Sequence, residues 1–118
     1  MSYTQGFIIP VPASKKQDYI KLAEASGDIF REYGATRIVE NWAENLPDGK
    51  VTDFNRAVKA EAGEAVVFSW IEWPDKATCD RAAEKMQNDE RFANMGEMPF
   101  DGKRMIYAGF DPIYRNEG

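Results

Sequence analysis

Glu64-Ala65-Val66-Val67-Phe68-Ser69-Trp70-Ile71-Glu72-Trp73 is the stretch that decides the fold. β-Branched and aromatic residues follow one another almost without a break, the pattern of a central strand covered on both faces. Pro74-Asp75 ends the strand and starts a helix whose apolar stripe is Cys79, Ala82, Ala83, Met86 and Phe92. Asn94-Met95-Gly96 closes that helical segment. Asp101-Gly102 then makes a tight turn, where glycine tolerates positive φ, and an alternating strand is predicted over Arg104–Tyr114.

The first half of the chain repeats the order. Tyr3, Gln5, Phe7, Ile9 and Val11 alternate with Thr4, Gly6 and Ile8, so Tyr3–Val11 reads as a strand, ended by Pro10 and Pro12, which cannot donate to a ladder. Ser14-Lys15-Lys16-Gln17 has the form of a capping box. It opens a helix predicted over Lys15–Tyr33, with Tyr19, Leu22, Ala23, Ser26, Ile29 and Phe30 at helical spacing and Gly34 as a left-handed C-cap. Ala35–Leu46 reads as a strand with Thr36, Ile38, Glu40 and Trp42 on one face. Pro47-Asp48-Gly49 is a turn, and Val51–Gly63 reads as a loop with one helical turn anchored by Phe54.

The order is therefore βαββαβ within a single domain spanning residues 1–118. It predicts an α+β, ferredoxin-like sandwich, an antiparallel sheet with two helices on one face. The other face is left to solvent or to a partner. Trp42, Phe68 and Trp70 are too many large rings to sit under two helices together, and a homodimer packed sheet against sheet accounts for them.

Composition narrows the chemistry. The chain has 118 residues, 43% hydrophobic and 30% charged, with a net charge of −5. That charge disfavours binding to a phosphate backbone, and the aromatic central strand lacks the basic Gly-aromatic signature of an RNA-recognition motif. No nucleic-acid partner is expected. Histidine is absent, which excludes Ser-His-Asp and Cys-His catalysis and histidine metal sites. With one cysteine, Cys79, there is no intrachain disulfide and no structural zinc site. No metal or cofactor is expected. No apolar run approaches the length of a membrane span and no signal peptide is evident, so no membrane partner is expected and the cytoplasm is the expected compartment.

Gly6-Phe7-Ile8-Ile9-Pro10-Val11-Pro12, Val66-Val67-Phe68-Ser69-Trp70-Ile71 and Phe100-Asp101-Gly102-Lys103-Arg104-Met105-Ile106-Tyr107 together resemble the YbaA-like family of small bacterial proteins, catalogued as domain of unknown function 1428. The resemblance covers nearly the whole chain. It implies a dimeric α/β barrel, two ferredoxin-like units closing their sheets around a shared interior. It brings no established activity and no assigned catalytic residues. The wider superfamily includes cofactor-free monooxygenases, muconolactone isomerases and haem-degrading enzymes, and fold likeness transfers none of these activities.

Strand parity puts Glu40 and Trp42 on one face of the second strand. It puts Phe68, Trp70 and Glu72 on one face of the third, and Arg104 with Ile106 on one face of the fourth. These faces are expected to line one interior. Trp42, Phe68, Trp70 and Arg104 are then the ligand-binding candidates, for a small, partly apolar or anionic molecule. Glu40, Glu72 and Tyr107 are the catalytic candidates, for a cofactor-independent monooxygenase or isomerase using a carboxylate base. The plainer reading of the charged members, an Arg–Glu pair inside a dimer interface, is preferred. Tyr19 and Tyr107 read first as tyrosines that satisfy their hydroxyls locally, and Cys79 as an inert core thiol. Asp75, Asp80, Glu84, Asp89 and Glu90 read as the solvated face of the second helix.

Overall fold

A ten-rung antiparallel ladder joins β1 (Tyr3–Pro12) to β3 (Glu64–Trp73), running from Tyr3 opposite Trp73 to Pro12 opposite Glu64. The computed structural model describes residues 2–118. A 3₁₀ turn, Ala13–Lys15, leads into α1 (Lys16–Glu32), then β2 (Arg37–Trp42) and the single-turn α2 (Phe54–Ala57). After β3 come α3 (Lys76–Gln87), the single-turn α4 (Glu90–Ala93) and β4 (Ile106–Phe110). The sheet order is β2-β3-β1-β4 with every pair antiparallel. This is the expected ferredoxin-like arrangement.

β1 runs through both prolines instead of ending at them. Ala13 donates its N–H to the Gly63 carbonyl at 2.9 Å, on the β3 side of the ladder. Pro10 and Pro12, on the alternate parity, therefore turn their missing N–H groups to the opposite edge, where β4 pairs only with Thr4–Ile8. Nothing is lost from the ladder at either position.

The helix ends depart from expectation in one case and meet it in the others. Ser14 sits inside the 3₁₀ turn, α1 starts at Lys16, and no side chain caps it, so the capping box does not form. Gly34 has φ +113° and completes a Schellman end: its N–H bonds the Arg31 carbonyl at 3.1 Å, and that of Ala35 bonds the Phe30 carbonyl at 3.0 Å. A side chain at Gly34 would also meet Thr78 Cγ2 at 2.7 Å. Asp75 caps α3 by accepting from the Thr78 N–H, and Asp89 caps α4 by accepting from the Arg91 N–H. Neither belongs to a merely solvated face. Phe92 lies on α4 and not on the stripe of α3, packing against Phe30 with ring centroids 5.7 Å apart.

Two core clusters lie between the helices and the sheet. Ala35, Ile71, Trp73, Cys79 and Ala82 form one, under α3. Ile9, Val11, Tyr19 and Val67 form the other, under α1. Trp73 is 0% exposed and its indole N–H donates to Gln5 Oε1 at 2.8 Å. In the 43–63 connection the buried anchor is Val58, 1% exposed, while Phe54 is 44% exposed. β2 and β4 are shorter than predicted, so Arg104 lies in the turn ahead of β4. β3 is central, as expected, but the helices cover only one of its faces, and Phe68 on the other remains open.

Trp73→Ala should cost about 3–5 kcal/mol through the cavity it leaves, a large part of a typical domain's stability. Gly34→Ala should cost about 1–2 kcal/mol for its left-handed backbone alone. Denaturant melts of both variants check this, with Trp73→Ala the more damaging.

Candidate functional site

Which side chains share a face follows from the registers. β1 and β3 pair odd with odd, and Ile9, Val11 and Val67 lie in the core, so odd-numbered residues of both strands face the helices. β2 is set one step differently: Glu40 stands opposite Ser69 and Trp42 opposite Val67. The expected common interior is therefore split. Glu40 and Trp42 are on the helix side, whereas Phe68, Trp70 and Glu72 are on the open side.

The open face carries a row of aromatic rings. Phe68 is 47% exposed and Phe110 55%. Phe68 meets Trp70 at 5.7 Å between centroids and takes the edge of Phe54 at 6.1 Å. It borders three adjoining concavities of about 400, 200 and 360 Å³. The first lies beneath the 43–54 connection, the second runs along β4, and the third is walled by Pro112, Tyr114 and Arg115 from the segment after β4. Glu72 closes one end of the row. Its Oε2 accepts from the Trp70 indole at 3.0 Å, its Oε1 lies 3.5 Å from the Arg115 guanidinium, and Arg37 stands 3.9 Å away.

On the helix side, the Tyr19 hydroxyl donates to Glu40 Oε1 at 2.7 Å. Glu40 as a residue is exposed at the sheet edge, but its carboxyl end turns in beneath α1. Burial pushes the Glu40 carboxyl above its ordinary pKa, opposed by hydrogen bonds from Tyr19 and Ser69. Burial, and then the neighbouring carboxylate, pushes the Tyr19 hydroxyl up. Tyr19 thus satisfies its hydroxyl within the fold. Trp42 lies beneath the Lys16 ammonium, 5.5 Å from the ring centroid. Tyr107 has the helix-side parity on β4 but is 69% exposed, stacked on Phe7 at 6.3 Å. Cys79 is buried, and burial raises its thiol pKa.

Arg104 is not aimed into either face. Its two terminal nitrogens grip both oxygens of Glu64 at 2.7 Å each, its Nε donates to Asp101 at 3.0 Å, and Nη1 also donates to the Lys59 carbonyl at 3.0 Å. This fork ties the turn before β4 to the start of β3 and leaves little to offer an anion. The preferred reading of an Arg–Glu pair holds, but the glutamate is Glu64 of the same chain and not Glu40 or Glu72 at an interface, so Arg104 acts as a clamp and not as an anion holder. Hydrogen bonding to Arg104 holds the carboxyls of Glu64 and Asp101 below their ordinary range. No local pattern announced the pair, because Glu64 and Arg104 lie 40 residues apart. Sequence patterning marks Phe54 only as a loop anchor and does not mark Phe110 or Arg115 at all; the alternating aromatics of the last strand are the available signal for Phe110.

Among the described residues, no three Cys, Asp or Glu side chains converge as a metal site, and no helix is long and apolar enough to cross a membrane. A family model described as "Protein of unknown function (DUF1428)" matches residues 2–102. The chain belongs to this family. It is 57% identical over 114 residues to "Uncharacterized protein YbaA" of Escherichia coli K12, covering 96% of this chain and 97% of that one. The same match holds for the protein of that name in Shigella flexneri. Among solved structures, the fold resembles Rv0793 from Mycobacterium tuberculosis, with a TM-score of 0.52 and 11% identity over 99% of this chain and 100% of that one. It also resembles a dimeric ferredoxin-like protein from an uncultured marine organism, with a TM-score of 0.51 and 9% identity over 93% and 92% of the two chains. At these identities the two structures speak for the fold alone.

The clamp has a pH signature. Lowered carboxyl pKa values contribute stability above the unfolded-state value, about 4, and that stability is lost as pH falls through the folded-state values. Arg104→Gln should lower the thermal midpoint at pH 7 and flatten the loss of stability below about pH 4. Thermal melts of both proteins across pH 2–7 test this.

Proposed function

We propose that two copies of this chain pair across the open faces of their sheets and that the space enclosed binds a small, mostly apolar molecule. The observation that carries this reading is the position of Phe68: half exposed, at the centre of an aromatic row, and bordering three adjoining concavities. An apolar surface of this kind on an otherwise polar molecule marks an interface or a pocket. The solved neighbour described as a dimeric ferredoxin-like protein supplies a precedent for pairing in this fold. Phe68 and Trp70 would form the apolar wall, and a polar end of the ligand would meet Glu72 and Arg115 at the rim.

The enzymatic alternative, an oxygenase or isomerase with Glu40 or Glu72 as base, gains no support: Glu40 accepts from Tyr19 and Ser69 on the other side of the sheet, and both Glu72 oxygens are engaged by Trp70 and Arg115. The binding reading requires no cofactor. Net acidity favours a small-molecule partner over nucleic acid, and the lone buried thiol suits a reducing cytoplasm.

Trp70→Ala should weaken dimerisation by ~2 kcal/mol or more, the scale of an interface hot spot. Phe68→Glu, which plants charge at the centre of the face, should give a folded monomer. Sedimentation velocity reads both, and native mass spectrometry of protein taken gently from its own cells should find a dimer with an added small mass. A wild-type monomer at every concentration, or a Phe68→Glu variant that stays dimeric, contradicts the pairing. A bare dimer contradicts the ligand.

A further inference from the structure

Two apolar stretches stand out in solvent at opposite corners of the sheet. Val51, in the connection after β2, is 90% exposed, and Ile113 and Tyr114, in the segment after β4, are 94% and 78% exposed. β2 and β4 are the two edges of the sheet. Phe110, Thr4, Glu72 and Arg37 stand in one row across it, so the 111–118 segment leaves the β4 edge at that end. Trp42 stands opposite Val67, so the 43–54 connection leaves the β2 edge toward the other end. The two departure points are about 14 Å apart across the strands and about 17 Å apart along them.

The stretches differ in character. The connection is preformed: Asp53 accepts from the N–H groups of Gly49 at 3.1 Å and Arg56 at 2.8 Å, and a side chain at Gly49 would collide with the Thr52 carbonyl. Beneath it lies the concavity of about 400 Å³, walled by Trp42, Leu46, Pro47, Phe54 and Phe68. The 111–118 segment is a strap with no rung in the sheet. Among the described residues, its side-chain hydrogen bond to the sheet is the one from Arg115 to Glu72, at 3.5 Å. A preformed apolar concavity and a loosely tethered apolar strap, at opposite corners of one face, are the two halves of an isologous contact.

We infer that, in the pair of copies proposed above, the 111–118 strap of each copy docks beneath the 43–54 connection of the other and seats Ile113 and Tyr114 against Val51 and Phe54. The inference rests on that pairing and names what closes the concavity, a segment of the second copy. A two-fold axis between the faced sheets, running along the diagonal that joins the other two corners, carries each strap onto the partner's connection. It keeps Phe68, near the middle of the face, close to its symmetry mate. The sheets then cross near 90°, one of the two ordinary ways in which sheets pack. An axis along or across the strands sends the strap to a corner that has neither Val51 nor the concavity. An axis along the remaining diagonal sets strap on strap, with Arg115 facing Arg115. The space suffices: an apolar cavity of about 150 Å³ takes a benzene ring, so the larger concavity has room for a tyrosine ring and an isoleucine. A rigid connection meeting the strap loses little conformational freedom on docking.

Chains carrying Val51→Cys and Ile113→Cys, mixed so that subunits exchange and treated with a short bismaleimide, test the contact. Cys79 is buried and does not compete. The mixture should give a covalent dimer joining position 51 of one chain to position 113 of the other, identified by mass spectrometry of the linked peptides. It should be at least tenfold more abundant than the covalent dimer from either variant alone. A chain ended at Phe110 should stay folded by circular dichroism and dimerise at least tenfold more weakly in sedimentation velocity. Cross-linking no greater in the mixture than in the single variants, or a shortened chain that pairs as tightly as the full one, overturns the inference. The pairing itself then stands if the wild-type chain is a dimer that Phe68→Glu dissociates. A wild-type monomer at every concentration overturns both.

Discussion

The unbroken register between β1 and β3 is the constraint on which the rest depends. Tyr3 opposite Trp73 and Pro12 opposite Glu64 fix ten consecutive pairs, and with them the face to which every side chain of the two central strands is assigned. A slip by one residue would send Val67, Ile71 and Trp73 to the open side and bring Phe68, Trp70 and Glu72 under the helices. Burial of Trp73 and Val67 holds the register from one side, since both are nearly inaccessible. The edge strands inherit their parity from this pair: Glu40 meets Ser69, and Ile106 meets Ile8.

Much of this fold was legible because its signals are local. β3 was read with its observed limits, α1 to within a residue at each end, and Gly34 at the position where positive φ is needed. What depends on distant pairing was not legible. Parity within a strand is a property of the strand, but whether Glu40 shares a face with Phe68 depends on how β2 docks on β3, which neither segment encodes alone. Arg104 shows the same gap. Its residue type suits a bound anion or a paired carboxylate, and the partner that decides between them lies 40 residues away at the mouth of β3. The prolines of β1 mislead for a further reason: a missing N–H matters only on the side where a neighbour needs it, and β4 stops short of them. Ser14 and Gln17 have the residue types of a capping box, but the chain enters α1 through a 3₁₀ turn that takes Ser14 away from the cap position.

The two sides of the sheet now carry different chemistry. Toward the helices, Val67, Ile71 and Trp73 of β3 are buried and polar groups pair with one another, as in the bond from Tyr19 to Glu40. Away from them, Phe68, Ile106 and Phe110 present apolar surface to solvent, with Glu72 and its arginine neighbours at one end. Burial on the helix side accounts for the stability of the chain, and nothing in the fold of a single copy requires those open rings. Their cost in solubility is understandable if the face is covered in the working protein.

Small-angle X-ray scattering over a range of concentrations tests that claim most directly. A single chain has a Cα radius of gyration of 15.0 Å. The account predicts forward scattering of two chains and a radius well above that value in dilute solution. A particle of one chain with a radius near 15.0 Å at all concentrations would contradict it.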